Sequence, residues 1–121
     1  MSGINKAILI GNLGQDPEVR HTPSGAAATS FSIATTRSYK DKSGQKQDET
    51  QWHKVITWGK LAEFCGEYLS KGRSVYIEGR IEYRTWEDKE GNKRNTTEIV
   101  ADTVNFVGSK NDSNQSRSDN W

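Results

Sequence analysis

Apolar and polar positions in this chain alternate in short runs separated by turn residues. Lys6 to Leu13 is an apolar strand-like segment that ends at Gly14-Gln15-Asp16-Pro17, and Thr22-Pro23-Ser24-Gly25 is a strong turn. Ala27 to Thr36 alternates with a period of two, which puts Thr29, Phe31, Ile33 and Thr35 on one face. Residues 37–49 are polar and contain Gly44, so a long exposed loop is expected there. Thr50 to Trp58 reads as a third strand. The period then changes. Leu61, Phe64, Cys65, Tyr68 and Leu69 follow helical spacing, predicting one short amphipathic helix that stops at Gly72. Ser74 to Trp86 is a long strand with Val75, Ile77, Gly79 and Ile81 on one face. Glu87 to Lys93, with Gly91-Asn92, reads as a hairpin loop, and Arg94 to Val107 as the last strand.

Five strands, with one short helix between the third and fourth, predict an all-β chain with the element order of an OB-fold: a five-stranded Greek-key barrel. Residues 1–107 are read as that domain. From Gly108 the chain is rich in Ser, Asn, Asp and Lys and offers too little apolar surface to fold, so residues 108–121 are expected to be a polar, disordered C-terminal tail.

Within this pattern the segment Trp52-His53-Lys54-Val55-Ile56-Thr57-Trp58 carries the chemistry. A two-residue period puts Trp52, Lys54, Ile56 and Trp58 on one strand face. Core packing explains a single strand Trp; it explains poorly a face that also holds a lysine. Tyr39 lies between Ser38 and Lys40, and Trp86 follows Tyr83-Arg84-Thr85. Aromatics interleaved with cations suit an unpaired nucleic acid, because every base has a face to stack and every linkage has a charge.

Charge narrows this reading. The formal net charge is only +1. A duplex-binding protein is often far more basic, so a nearly neutral chain that leans on stacking suits single strands better. Lys71 and Arg73, and Lys93 and Arg94, form small basic clusters, while Asp48-Glu49 and Glu87-Asp88 lie near the aromatics. Cys65 is the only cysteine, which excludes an internal disulfide and suits a reducing, intracellular setting. No apolar run approaches the roughly 20 residues of a membrane helix, and the N-terminus lacks a secretory pattern. No membrane association is expected.

An enzyme is disfavoured. A metal-dependent nuclease needs converging carboxylates, whereas Asp16, Asp48, Asp88 and Asp102 are scattered. The chain has neither a phosphate loop nor zinc-ligand spacing. No catalytic residue, metal ligand or cofactor is expected. A pure oligomerisation module is the remaining alternative class.

Longer motifs are more specific. Asn5-Lys6-Ala7-Ile8-Leu9-Ile10-Gly11-Asn12-Leu13-Gly14-Gln15-Asp16-Pro17-Glu18-Val19-Arg20 resembles the opening of bacterial single-stranded DNA-binding proteins. Glu49-Thr50-Gln51-Trp52-His53-Lys54-Val55, Gly59-Lys60-Leu61-Ala62-Glu63 and Lys71-Gly72-Arg73-Ser74-Val75-Tyr76-Ile77-Glu78-Gly79-Arg80 resemble later parts of the same family, and the likeness runs over residues 4–107. It implies a homotetramer that wraps single-stranded DNA without sequence preference and coats it during replication, repair and recombination, in the cytoplasm on the nucleoid.

Residue by residue, the resemblance puts Trp52 and Trp86 at stacking positions, Tyr39 where many members have Trp, and Trp58 where many have Phe. Lys54 stands where Arg is common and keeps the charge without the planar fork. Glu82 departs from a position that is basic in some members, while Arg84 beside it stays basic. The expected nucleic-acid-binding set is Tyr39, Trp52, Lys54, Ile56, Trp58, Lys71, Arg73, Arg84, Trp86 and Arg94. Lys71, Arg73 and Arg94 could equally be solvated surface charges. His53 faces away from Trp52 and is expected at a subunit contact, together with Lys6 and Ile8 of the first strand. The family's acidic tip, which recruits replication and repair proteins, is not found in Asn111 to Trp121. Such partners are expected only where a longer tail bears that tip.

Overall fold

The computed structural model describes residues 2–108, so the expected tail from residue 109 on lies outside the described residues. The chain runs β1 (Ala7–Leu13), β2 (Glu18–His21), β3 (Ala27–Lys40), β4 (Lys46–Trp58), α1 (Gly59–Tyr68), β5 (Ser74–Glu87) and β6 (Lys93–Phe106). Neighbours in the sheet follow the order β1-β5-β6-β4-β3-β2, and a further β1–β3 pairing closes the first five into a barrel. Among the described residues, β4 and β6 are the one parallel pair. This is the expected Greek-key barrel of the OB-fold, with the helix between its third and fourth barrel strands.

The alternation in the sequence decides what is inside. Thr29, Phe31 and Ile33 of β3, Val55 and Thr57 of β4, and Val75 and Ile77 of β5 all point into the core. Cys65 and Leu69 bring one side of α1 onto the same cluster. The hydroxyl of Thr29 donates to the Ala62 carbonyl at 2.7 Å, which satisfies a buried polar group and ties the helix to β3. Gly79 sits at a register shift in β5, where a Cβ would fall 2.2 Å from the Val100 carbonyl oxygen. The partner steps from Thr103 to Ala101 there, so Asp102 is the extra residue of a bulge in β6, and the bare Gly79 backbone gives the bulged strand room to approach as the barrel bends.

Two expectations are corrected. Residues 37–49 are not a long loop. β3 and β4 stay paired out to Lys40 and Lys46, and only residues 41–45 turn. Asp41 Oδ1 accepts the backbone N–H groups of Ser43 and Gln45, and Gly44 takes a positive φ of 86°. The β5–β6 turn repeats the arrangement: Asp88 Oδ1 accepts from Glu90 and Asn92, and Gly91 has φ 83°. Asp41-Lys42-Ser43-Gly44 and Asp88-Lys89-Glu90-Gly91 are one turn chemistry used twice. The second correction is β2, an extra strand of four exposed residues paired to the edge of β3. It has no buried face, so it leaves no hydrophobic alternation to read.

Candidate nucleic-acid interface

Directly paired residues share a face of a sheet, so the register assembles the site. On β4, Trp52, Lys54, Ile56 and Trp58 stand opposite Ala34, Ser32, Ser30 and Ala28 of β3. The small β3 residues leave the larger β4 side chains uncovered: Trp52 is 60% exposed and Trp58 51%. Across the parallel junction Lys54 is level with Glu98 of β6, and Glu98 is level with Glu82 of β5. The same face continues through Arg84 opposite Thr96 and Trp86 opposite Arg94. One surface across four strands thus holds three indoles, Lys54, Arg84 and Arg94.

Each indole is held in its own way. Trp52 lies against Gly14 at the end of β1, where a Cβ would fall 2.4 Å from Cζ3 of the ring. The Trp86 indole N–H donates to the Thr96 hydroxyl at 2.9 Å, fixing the ring on the β5–β6 ribbon while leaving part of it exposed. Trp58 stands at the corner where Gly59, at φ 67°, turns the chain from β4 into α1.

Below Trp58 the surface dips into a groove of about 510 Å³ bordered by Asp16, Glu18, Arg20, Lys54, Ile56, Glu82, Arg84 and Glu98. Its cations are paired. Arg84 Nη2 lies 3.1 Å and Lys54 Nζ 3.6 Å from Glu98 Oε2. Arg20 pairs with Glu18 at 2.9 Å, and the groove acid Glu82 is paired at 2.9 Å with Arg80, which lies outside the groove. Farther along, Arg94 Nε lies 2.9 Å from Asp88 Oδ2. Backbone donors of the turn, with Arg94 adding to them, hold the Asp88 carboxyl below the usual range, so it is ionised and a stable partner for Arg94.

The remaining expected residues are placed elsewhere. Tyr39 pairs with Gln47 and belongs to the odd-numbered set of β3, so it lies on the reverse face of the β3–β4 ribbon from Trp52. There the Arg37 guanidinium sits 4.8 Å from its ring centroid. Arg73 packs its guanidinium 4.1 Å from the Phe106 ring, and its Nε is buried without a partner. It does not border the groove. Lys71 is at the rim, where its backbone N–H donates to Asp16 Oδ1 at 2.8 Å.

His53 is half-buried on the face opposite Trp52, with Nε2 2.9 Å from the Thr35 hydroxyl. Lys6 pairs with Glu78, which raises the lysine pKa above its ordinary value, and the Tyr76 hydroxyl donates to Glu78 at 3.3 Å. Beside them Ile8 and Ile10 are exposed on the outer face of β1.

Glu98 and Gly14 are the site residues that sequence reasoning missed. Glu98 opens the apolar run Glu98-Ile99-Val100-Ala101, and parity with Arg94 and Thr96 was the available signal. Gly14 reads in the sequence as a turn residue and nothing more. Among the described residues, no group of three or more His, Cys, Asp or Glu side chains is placed to hold a metal ion, and no helix is long and apolar enough to cross a membrane.

The comparisons with known proteins agree on one family. A curated protein of Chlorobaculum tepidum, single-stranded DNA-binding protein 1, is 50% identical over 109 residues, covering 89% of this chain and 67% of that protein. A Xylella fastidiosa protein of the same name is 48% identical over 116 residues, covering 95% and 85%. Among solved structures, a Plasmodium falciparum SSB in complex with ssDNA superposes with a TM-score of 0.83 at 26% identity, covering 89% of this chain and 98% of that one. A deletion mutant of the Thermus aquaticus single-stranded DNA binding protein gives 0.79 at 34% identity, covering 89% and 52%. With the family model for the single-strand binding protein family matched over residues 4–107, the chain belongs to that family.

Proposed function

We propose that this chain binds single-stranded DNA without sequence preference, coating unpaired strands during replication, repair and recombination. The observation that carries the reading is the continuous four-strand face on which Trp52, Trp58 and Trp86 lie exposed around Lys54 and Arg84. Stacked indoles accept any base, at about 1–3 kcal/mol per base, and the cations meet the backbone. The action is binding alone: the strand is held open and shielded, with no bond made or broken and no cofactor. Family membership supports a binding protein over an enzyme.

Assembly into a homotetramer belongs to the same reading. The exposed Ile8 and Ile10 beside the Lys6–Glu78 pair offer an apolar strip, and His53 faces away from the stacking surface. A flexible strand that reaches several such faces at once is held more tightly without any new contact. Recruitment of replication and repair proteins would need a tail bearing an acidic tip.

Filter binding with labelled oligo(dT), oligo(dC), a mixed sequence and a duplex of equal length tests the reading. Comparable retention of the three single strands, with the duplex passing through, is the expected result. Retention of the duplex alone, or of one base composition only, would overturn it.

A further inference from the structure

Glu98 is the one acid of the groove that cannot leave it. Its side chain is 3% exposed, against 60% for Glu18 and 46% for Glu82. The exposed acids can swing into water when a phosphate takes their cation, at little cost. A buried carboxylate has no water to turn to and stays beside its two cations. Lys54 and Arg84 are themselves half-exposed and open to the groove. Each uses only part of its donor capacity on Glu98, since a lysine has three donors and an arginine five.

Resting on the single-strand reading, we propose that Glu98 is a resident counter-anion. It holds Lys54 and Arg84 in the groove while cancelling one of their two charges, so the trio meets the strand as a single positive charge. The consequence is a groove that releases about one counterion where two cations would release two, so the strand is held more by stacking and less by charge. This fits the pairing of Arg20, Lys54 and Arg84, the cations that border the groove, with acids, and the near-zero net charge.

The test is the salt dependence of oligo(dT) binding for the whole chain, the Glu98→Gln variant, and Glu98→Gln/Arg84→Gln. Glu63→Gln, an exposed helix position with the same change of charge, is the control. Glu98→Gln should bind more tightly at low salt, with a log–log slope steeper by about 0.7. Its advantage over the parent should therefore grow about 2.6-fold as salt is diluted four-fold from about 200 mM to about 50 mM. Adding Arg84→Gln should return the slope to the parent value, and Glu63→Gln should leave it unchanged.

An unchanged slope in Glu98→Gln, or weaker binding, would overturn the proposal and show that Glu98 acts only by positioning. Failure of both Glu98 variants to fold, seen by circular dichroism, would also overturn it, since the acid would then be structural. If the parent itself shows no preference for single strands, the functional reading fails instead.

Discussion

The Trp52 indole lies over Gly14, and the contact leaves no room for even one methyl group between them. The backbone at Gly14 is ordinary in conformation and its N–H donates to the Ser32 carbonyl at 3.0 Å, so alanine is compatible with the turn and incompatible with the ring. Gly14→Ala should therefore act by displacing Trp52. Oligo(dT) affinity should fall about three-fold or more, part of what one stacked base supplies. In a Trp52→Ala background the same change should have almost no further effect, because residues that act through one contact are not additive. Equal losses in both backgrounds would place the role of Gly14 in the fold instead.

Stacking should dominate affinity. Trp52→Ala and Trp86→Ala should each weaken oligo(dT) binding about five-fold or more, and Phe at either position should cost much less. Parent-like affinity in folded alanine variants would remove the indoles from the site. Tyr39 separates two paths for the strand. Because it lies on the reverse face, Tyr39→Ala should leave short oligonucleotides bound as before and weaken only those long enough to pass around the β3–β4 ribbon. A loss on the shortest oligonucleotides would put Tyr39 on the primary path.

The contrast between these residues shows what the sequence made legible. Strand parity was enough to place Trp52, Lys54, Ile56 and Trp58 together and to find Thr29, Phe31 and Ile33 in the core, because a half-buried strand has one dry face. The two ribbons beyond the barrel have no dry face. Tyr39 was grouped with Trp52 by composition, and the register separated them. Arg73 was grouped with Lys71 by adjacency, yet it packs on Phe106, a contact 33 residues away in sequence. Glu98 could not be linked to Lys54 because their pairing depends on the parallel junction, which only the closed barrel creates.

The turn at Asp41 gives a prediction in pH. Donors from Ser43, Gln45 and Gln47 pull the Asp41 carboxyl down to about 2 from the usual 3.8. The native carboxyl thus ionises more readily than the unfolded one. Its contribution to the hairpin is fully present above about pH 4 and is lost as pH falls through about 2. Carboxyl NMR titration should show Asp41 among the last carboxylates to protonate, and Asp41→Asn should loosen the 41–45 turn at neutral pH. An ordinary titration near 4 would contradict the turn geometry.

Cys65 is fully buried, and burial pushes its thiol up to about 11. It should resist a thiol-specific reagent at neutral pH and react at once on unfolding. Rapid labelling of the native protein would show that α1 lifts from the barrel.

Light scattering addresses assembly. A mass near four times 13.6 kDa is expected, with His53→Ala or Ile8→Asp dissociating more readily on dilution. A stable monomer at micromolar concentration would refute the tetramer and leave the single-strand reading intact.

The central claim is tested most directly by following intrinsic tryptophan fluorescence while oligo(dT) is added at several salt concentrations, with a duplex of equal length as competitor. Stacking on exposed indoles predicts strong quenching, an affinity that falls with salt at a shallow slope of about 0.7 per phosphate contacted, and little competition from duplex. Unquenched fluorescence at saturation, or displacement of the single strand by an equal amount of duplex, would contradict it.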